Sequence, residues 1–226
     1  MLDRKKRYLQ VALNSTRDEA YSIIQSLPVS DRIIIEAGTP LIKQYGTSII
    51  VEISRWWQEK VYQAGIVADA YVVADMKTMD RGVTEVAIAK IAGASAIICL
   101  GQGPVEMIDA FIKACADNEI DSMVDMMNVD QPVKTLRKLK KLPNVVLLHR
   151  GVDEETYNRD KPIPYLQINK IRASYDVMIS VAGGDTIREV QRAIFNDANI
   201  VVVWKEFYTS SDQTGELAQE FLRVIK

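Results

Sequence analysis

The run Val72-Val73-Ala74-Asp75-Met76-Lys77-Thr78-Met79-Asp80 ends an apolar, β-branched stretch on a carboxylate. An ammonium follows two residues on, and a second carboxylate three residues after that. Successive side chains of an extended segment point to opposite faces, so Asp75 and Lys77 fall on one face. Held together at a strand's end, such a pair can bind a metal, steady an enolate or move a proton. On an open surface the same pair is an ion pair worth little. What decides between these is the company the pair keeps.

The elements that must position it are legible in order. Apolar runs at Tyr8–Leu13, Arg32–Ile35, Tyr71–Ala74, Ala96–Leu100, Ser122–Val124, Val145–Leu148, Val177–Val181 and Ile200–Val203 read as strands. Helical segments alternate with them. Thr16 and Glu19 form a capping-box pattern for a helix reaching Leu27. Thr39 is a candidate cap, with Pro40 suited to a first turn. A helical stretch runs from Leu41 to Lys60, with a break near Gly46 and Thr47 as a second cap. Trp56 and Trp57 on it read as packing residues. Further helices cover Gly82 to Ala92, closed by Gly93, and Pro104 to Asp117. Gln131 to Leu142 reads as a helix with a solvated basic face at Lys134, Arg137, Lys138, Lys140 and Lys141. Asp153 to Ile163 reads as a long polar loop, and Thr214 to Ile225 as the last helix. Alternating β and α units imply parallel strands. Eight of them suggest an α/β fold, a single (β/α)8 TIM barrel over residues 1–226. An open doubly wound sheet is the alternative, but it usually carries a glycine-rich loop after the first strand, and Asn14-Ser15-Thr16 stands there.

In such barrels chemistry sits at the C-terminal ends of the strands. The residues at those ends are Asn14, Glu36, Asp75 with Lys77, Asp125, His149 with Arg150, Gly183 with Gly184, and Trp204. Each has a structural explanation by itself; gathered at one rim they read as a site. Glu36 and Asp75 are hard oxygen ligands suited to one Mg²⁺ with positions left for substrate oxygens. Lys77 would stabilise negative charge on an enediolate. His149 is the single histidine and titrates near neutral pH. Gly183-Gly184 ahead of a helix presents backbone N–H groups to a phosphate.

Composition narrows the class. The chain is 48% hydrophobic and 26% charged, enough for a sizeable core. A net charge of −2 gives no reason to expect nucleic acid. No apolar run approaches a membrane span. The basic start, Arg4-Lys5-Lys6-Arg7, reads as a solvated leader without a secretory signal. Cys99 and Cys115 have no metal-ligand spacing and read as reduced core residues. A cytoplasmic protein is expected.

Several stretches carry a family resemblance: Leu9-Gln10-Val11-Ala12-Leu13, Glu36-Ala37-Gly38-Thr39-Pro40-Leu41-Ile42, Ala74-Asp75-Met76-Lys77-Thr78-Met79-Asp80, Val124-Asp125-Met126-Met127-Asn128-Val129 and Val181-Ala182-Gly183-Gly184. The chain resembles the 3-hexulose-6-phosphate synthase family. More broadly it resembles the orotidine 5′-monophosphate decarboxylase superfamily, which includes 3-keto-L-gulonate-6-phosphate decarboxylase. The resemblance covers nearly the whole chain. It implies a dimeric (β/α)8 barrel with shared active sites and a sugar phosphate substrate, with neither nucleic acid nor membrane as partner. Synthase members join formaldehyde to ribulose 5-phosphate through a Mg²⁺-bound enediolate. By resemblance, Glu36 and Asp75 match the metal ligands and Lys77 the enediolate-stabilising lysine. Asp80 matches the acid that reaches the partner's site, and His149 the acid/base histidine.

Two departures stand out. The family has an aspartate where this chain has Asn14, which can still bond a substrate hydroxyl but cannot offset Lys77. The family's phosphate grip includes a glycine, often followed by arginine, after the eighth strand. Trp204-Lys205-Glu206-Phe207 stands there, with Lys205 as the remaining cation, and Asp185 adds an anion after Gly184. The metal and lysine half is intact and the phosphate half is altered. Poor binding of ribulose 5-phosphate follows. Besides the synthase reading stand a decarboxylase or aldolase acting on a different sugar or acid, and a non-catalytic barrel kept for binding or regulation.

Overall fold

A computed structural model describes residues 1–66, 69–158, 160–209 and 213–226. Eight parallel strands close in sequence order into one barrel: β1 (Tyr8–Leu13), β2 (Ile33–Ala37), β3 (Val72–Thr78), β4 (Ala96–Leu100), β5 (Asp121–Asp125), β6 (Val145–His149), β7 (Met178–Ala182) and β8 (Ile200–Val203), with β8 pairing back to β1. This is a (β/α)8 TIM barrel, and the doubly wound alternative is excluded. Both faces of each strand are covered, which explains the unbroken apolar runs. Alternation still sorts the side chains. Tyr8, Ile34, Val73, Ile98, Met123, Leu147, Ala182 and Val202 belong to the cluster filling the barrel. Leu9, Val11, Ile35, Ala74, Val124, Leu148 and Val203 pack outward in the layer shared with the helices. Glu36, Asp75, Asp125, His149 and Trp204 lie an even number of residues beyond inward positions. They therefore face the mouth.

The helices are α1 (Arg17–Ser26), α2 (Thr39–Tyr45), α3 (Ser48–Gln63), α4 (Gly82–Ile91), α5 (Val105–Asp117), α6 (Pro132–Lys138), α7 (Val152–Tyr157), α8 (Tyr165–Arg172), α9 (Ile187–Phe195), α10 (Lys205–Thr209) and α11 (Thr214–Val224). The expected capping box holds α1: Glu19 N–H donates to Thr16 Oγ1, and Thr16 N–H to Glu19 Oε2. Such a cap stabilises by about 1 kcal/mol and sets the turn that carries Asn14. Gly46, at φ +69°, separates α2 from α3. Trp56 and Trp57 are buried in the core, as are Cys99 and Cys115, both free thiols.

Four local expectations are corrected. Thr39 does not cap α2; Gly38 holds that position, and the Thr39 hydroxyl turns to β3. Thr47 stands at the cap of α3 but makes no side-chain capping bond. The segment after β6 is not all loop, because Gly151 N–H donates to Glu154 and three acids, Asp153, Glu154 and Glu155, open α7. Helix α6 stops at Lys138, where Leu139 turns extended and the Lys140 N–H reaches Asp109 of α5.

The basic start is solvated as expected, and it is also tied to the barrel. Arg4 pairs with Asp176, Lys6 with Asp31 and Arg7 with Asp197. Arg7 Nη1 also donates to the carbonyl of Lys226 at 2.7 Å. Leu2 packs against the barrel interior from below. Its N–H and the Tyr71 hydroxyl both donate to the buried Asp121. The floor of the barrel is thus sealed, and the chemistry is left to the other end. Among the described residues no helix is long and apolar enough to cross a membrane.

Candidate active site

Asp75, Lys77, Asp125 and His149 form one connected cluster at the mouth. Strand β3 does not end at Asp75. It runs on to Thr78 through a bulge, with the register shifting between Ala74 and Thr78 and Lys77 in the left-handed region at φ 46°. The two side chains meet through this kink rather than through simple alternation. The Lys77 ammonium lies 3.0 Å from Asp75 Oδ2 and 3.0 Å from Asp125 Oδ2. His149 Nδ1 lies 2.8 Å from that same Asp125 Oδ2, while Oδ1 accepts the Met127 N–H at 2.8 Å. The Thr39 hydroxyl lies 2.8 Å from Asp75 Oδ2. Gln10 donates to Glu36 Oε2 from the neighbouring strand.

Charge follows from this geometry. Burial opposes ionisation of Asp125, but His149 and Lys77 outweigh it and hold its carboxyl at about 2. Burial likewise works against the Lys77 ammonium, and Asp75 and Asp125 overcome it, lifting its pKa above the ordinary lysine range. Burial would lower His149, yet Asp125 raises it overall, so Nδ1 carries a proton to Asp125 and Nε2 is the nitrogen left for a substrate. Glu36 is the exception. Burial, then the charge of Asp75, push its carboxyl up to about 7 against the pull of Gln10, Lys77 and His149.

Two neighbouring carboxylates that repel each other suit a divalent cation. No group of three or more His, Cys, Asp or Glu poised to hold a metal exists among the described residues. Mg²⁺ does not need one, because it commonly takes one or two carboxylates and completes its shell with water and substrate oxygens. Glu36 and Asp75 fit that habit, and a cation would offset both the burial and the Asp75 charge that raise the Glu36 carboxyl.

The other candidates are placed unevenly. Asn14 stands at the mouth, its side chain against Gly38, where a Cβ would overlap its Oδ1. Asp80 is exposed beyond β3 and does not join the cluster of its own chain. Arg150 is tied down: Nη2 donates to the Gly183 carbonyl at 2.6 Å, with Glu155 and Glu189 at 3.6 and 3.7 Å. Gly183, at φ +94°, is required because a Cβ would overlap the Arg150 carbonyl, and one on Gly184 would crowd Ile163 and Glu189. Lys205 is paired with Glu155 of α7. Asp185 does not serve the start of α9, which Thr186 and Glu189 cap; its carboxylate goes to the end of β8. A cavity of about 620 Å³ opens beside His149 and Arg150, beneath residues 161–167.

Three contributors escape a reading of the sequence by motifs. Gln10 is polar at an inward position of a buried strand, a signal that parity contains. Thr39 looks like a cap. Tyr208 of α10 carries no sequence signal, yet its hydroxyl accepts the N–H groups of Asn14 and Ser15 at 2.8 and 3.2 Å, closing the barrel mouth between β8 and β1.

Residues 7–219 match the orotidine 5′-phosphate decarboxylase / HUMPS family. The chain belongs to that family. Its curated relatives include proteins named bifunctional enzyme Fae/Hps. That from Methanosphaera stadtmanae is 38% identical over 224 residues, 96% of this chain and 52% of the relative. That from Methanocella arvoryzae is 35% identical over 223 residues, 97% of this chain and 53% of the relative. The chain thus spans about half the length of these relatives. Among solved structures, 3-hexulose-6-phosphate synthase from Salmonella typhimurium superposes with a TM-score of 0.82 at 26% identity, covering 96% of this chain and 98% of that one.

Proposed function

We propose that this barrel is a carbon–carbon lyase of the aldol type. It works as 3-hexulose-6-phosphate synthase does at the reacting end, joining formaldehyde to a ketopentose or releasing it. The observation that carries this reading is the Lys77 ammonium, held between Asp75 and Asp125 with a protonatable imidazole on the same carboxylate. The name of the Salmonella typhimurium neighbour and the Hps half of the relatives' name support it.

The residues divide the work. His149, when neutral, takes a proton from the carbon beside the substrate carbonyl. The electron pair moves into the carbonyl to give an enediolate, whose charge Lys77 stabilises. The enediolate carbon attacks formaldehyde, one carbon–carbon bond forms, and the C=O pair becomes an alkoxide. His149 returns its proton to that alkoxide, so the step balances with a single proton carried. Asp125 positions both Lys77 and His149, and Asn14 is placed to bond a substrate hydroxyl. Glu36 and Asp75 would hold Mg²⁺, which when bound supplies Lewis-acid polarisation of substrate oxygens.

We further propose a homodimer in which Asp80 completes the partner's site. Asp80 is exposed at the start of a surface that includes Met79 and, on α4, Val83 and Ile91, the last 86% exposed. An apolar stripe like this beside an unused acid suits burial against a second copy. The deciding assay follows formaldehyde with ribulose or ribulose 5-phosphate, in Mg²⁺ and in excess chelator. Metal-dependent formaldehyde consumption or release is expected. Its absence with both sugars favours the non-catalytic reading.

A further inference from the structure

The rim between β7 and β8 carries a carboxylate that the proposed chemistry does not use. Asp185 is 7% exposed. Its Oδ1 accepts the backbone N–H groups of Trp204 at 2.8 Å and Lys205 at 3.2 Å. Its Oδ2 is buried and has no hydrogen-bond partner among the described residues. The Trp204 indole packs against the cluster that fills the barrel, so it covers the interior instead of turning outward. The Lys205 ammonium is drawn to Glu155 and lies over the Trp204 ring, 5.5 Å from its centroid.

In (β/α)8 barrels the backbone past the seventh and eighth strands is where a substrate phosphate is commonly taken. Here a side chain of the protein already holds two N–H groups at that place. An indole fills the neighbouring space, and the local lysine is engaged by another acid. A phosphate dianion brought there would meet a buried carboxylate, and like charges repel strongly where water is excluded.

We infer that Asp185 stands in for a substrate phosphate, so that the substrate's end away from the reacting carbon is a neutral, hydroxylated one. Oδ2, left without a donor, is an acceptor suited to a hydroxyl. The inference deepens the aldol reading and rests on it for the reacting end.

Calorimetric titration with ribulose and with ribulose 5-phosphate tests it, on the full chain in Mg²⁺. Wild-type protein is expected to bind ribulose, and to bind the phosphate ester no more tightly. Asp185→Asn combined with Trp204→Gly is expected to improve the ester by about tenfold or more and to weaken ribulose, whose hydroxyl loses its carboxylate acceptor. If the double variant folds poorly, the wild-type preference decides alone. A wild-type preference for the ester of about tenfold or more overturns the inference, and the dianion then belongs in the cavity edged by Arg150, Lys161 and Arg192. Failure of wild-type protein to bind ribulose overturns it as well. Exchange of carbon-bound substrate hydrogen with D₂O, followed by NMR, reports separately on the aldol chemistry. Exchange together with ester preference removes only the role of Asp185. Ribulose binding without exchange removes only the chemistry.

Discussion

At Glu36 burial and function pull in opposite directions. Its carboxyl keeps a proton to about pH 7 in the folded chain, against an ordinary value of 4.5. Between those values the folded state binds more protons than the unfolded one. Stability of the metal-free protein therefore falls as pH rises through that window. Glu36→Gln removes the titrating group. In chelator at pH 8 it should stabilise by about 1–3 kcal/mol, a rise of several degrees in melting temperature, with no gain at pH 4. Added Mg²⁺ should raise the melting temperature of the wild type and not of the variant, whose metal-dependent activity should be lost. Thermal melts at both pH values, with and without metal, check this. Asp125 poses the reverse case, since its charge is what lifts His149. In the proposed mechanism it is the neutral His149 that takes the carbon proton, so the aldol rate should rise with pH through the His149 pKa. Asp125→Asn should lower that pKa and move the rising limb to lower pH, while reducing the maximum by about tenfold or more because Lys77 loses a partner. The pH profile of kcat separates this shift from simple misfolding.

The loops and short helices after the strands decide how far these side chains can be trusted to stay in place. Tyr208→Phe would leave the N–H groups of Asn14 and Ser15 without their acceptor. A loss of about 1–2 kcal/mol in chemical denaturation is expected, along with a higher KM, because Asn14 is loosened. Gly183→Ala should destabilise more, since the residue sits at positive φ and the new methyl would strike the Arg150 carbonyl. What the sequence made legible at this scale follows from period and burial. Strands buried on both faces read as apolar runs, and their last polar residues marked the rim: Glu36, Asp75, Asp125 and His149 all lie there. The sequence suggests phosphate donors at Gly183 and Gly184, and packing against Arg150, Ile163 and Glu189 gives each a second reason to be glycine. The bulge that turns Lys77 back was invisible because a long-range register shift has no local signature. Helix α7 lies where the composition reads as loop, although three acids after a glycine announce its start. The reach of Tyr208 depends on where a distant helix lands, which no local pattern encodes.

At the scale of the whole molecule, the proposed homodimer can be tested through Asp80. If Asp80 serves the partner's site, Lys77→Ala and Asp80→Ala chains are each inactive but regain part of their activity when mixed, because one site of the mixed dimer keeps both residues. Verified heterodimers without recovery would put the two residues in one subunit's site or remove Asp80 from catalysis. Ile91→Asp should shift the protein toward monomer in sedimentation and lower activity in parallel. A last consequence concerns chain connectivity. The Arg7 side chain grips the carbonyl of Lys226 on the barrel floor, so the residue just ahead of β1 and the segment just past α11 are neighbours on the face opposite the mouth. The order in which the eight β/α units are threaded is then separable from the ring they form. A circular permutant of this barrel in which a short linker joins residue 226 to residue 7, and new ends open in the exposed turn between α6 and β6, should close the same ring and keep the rim intact.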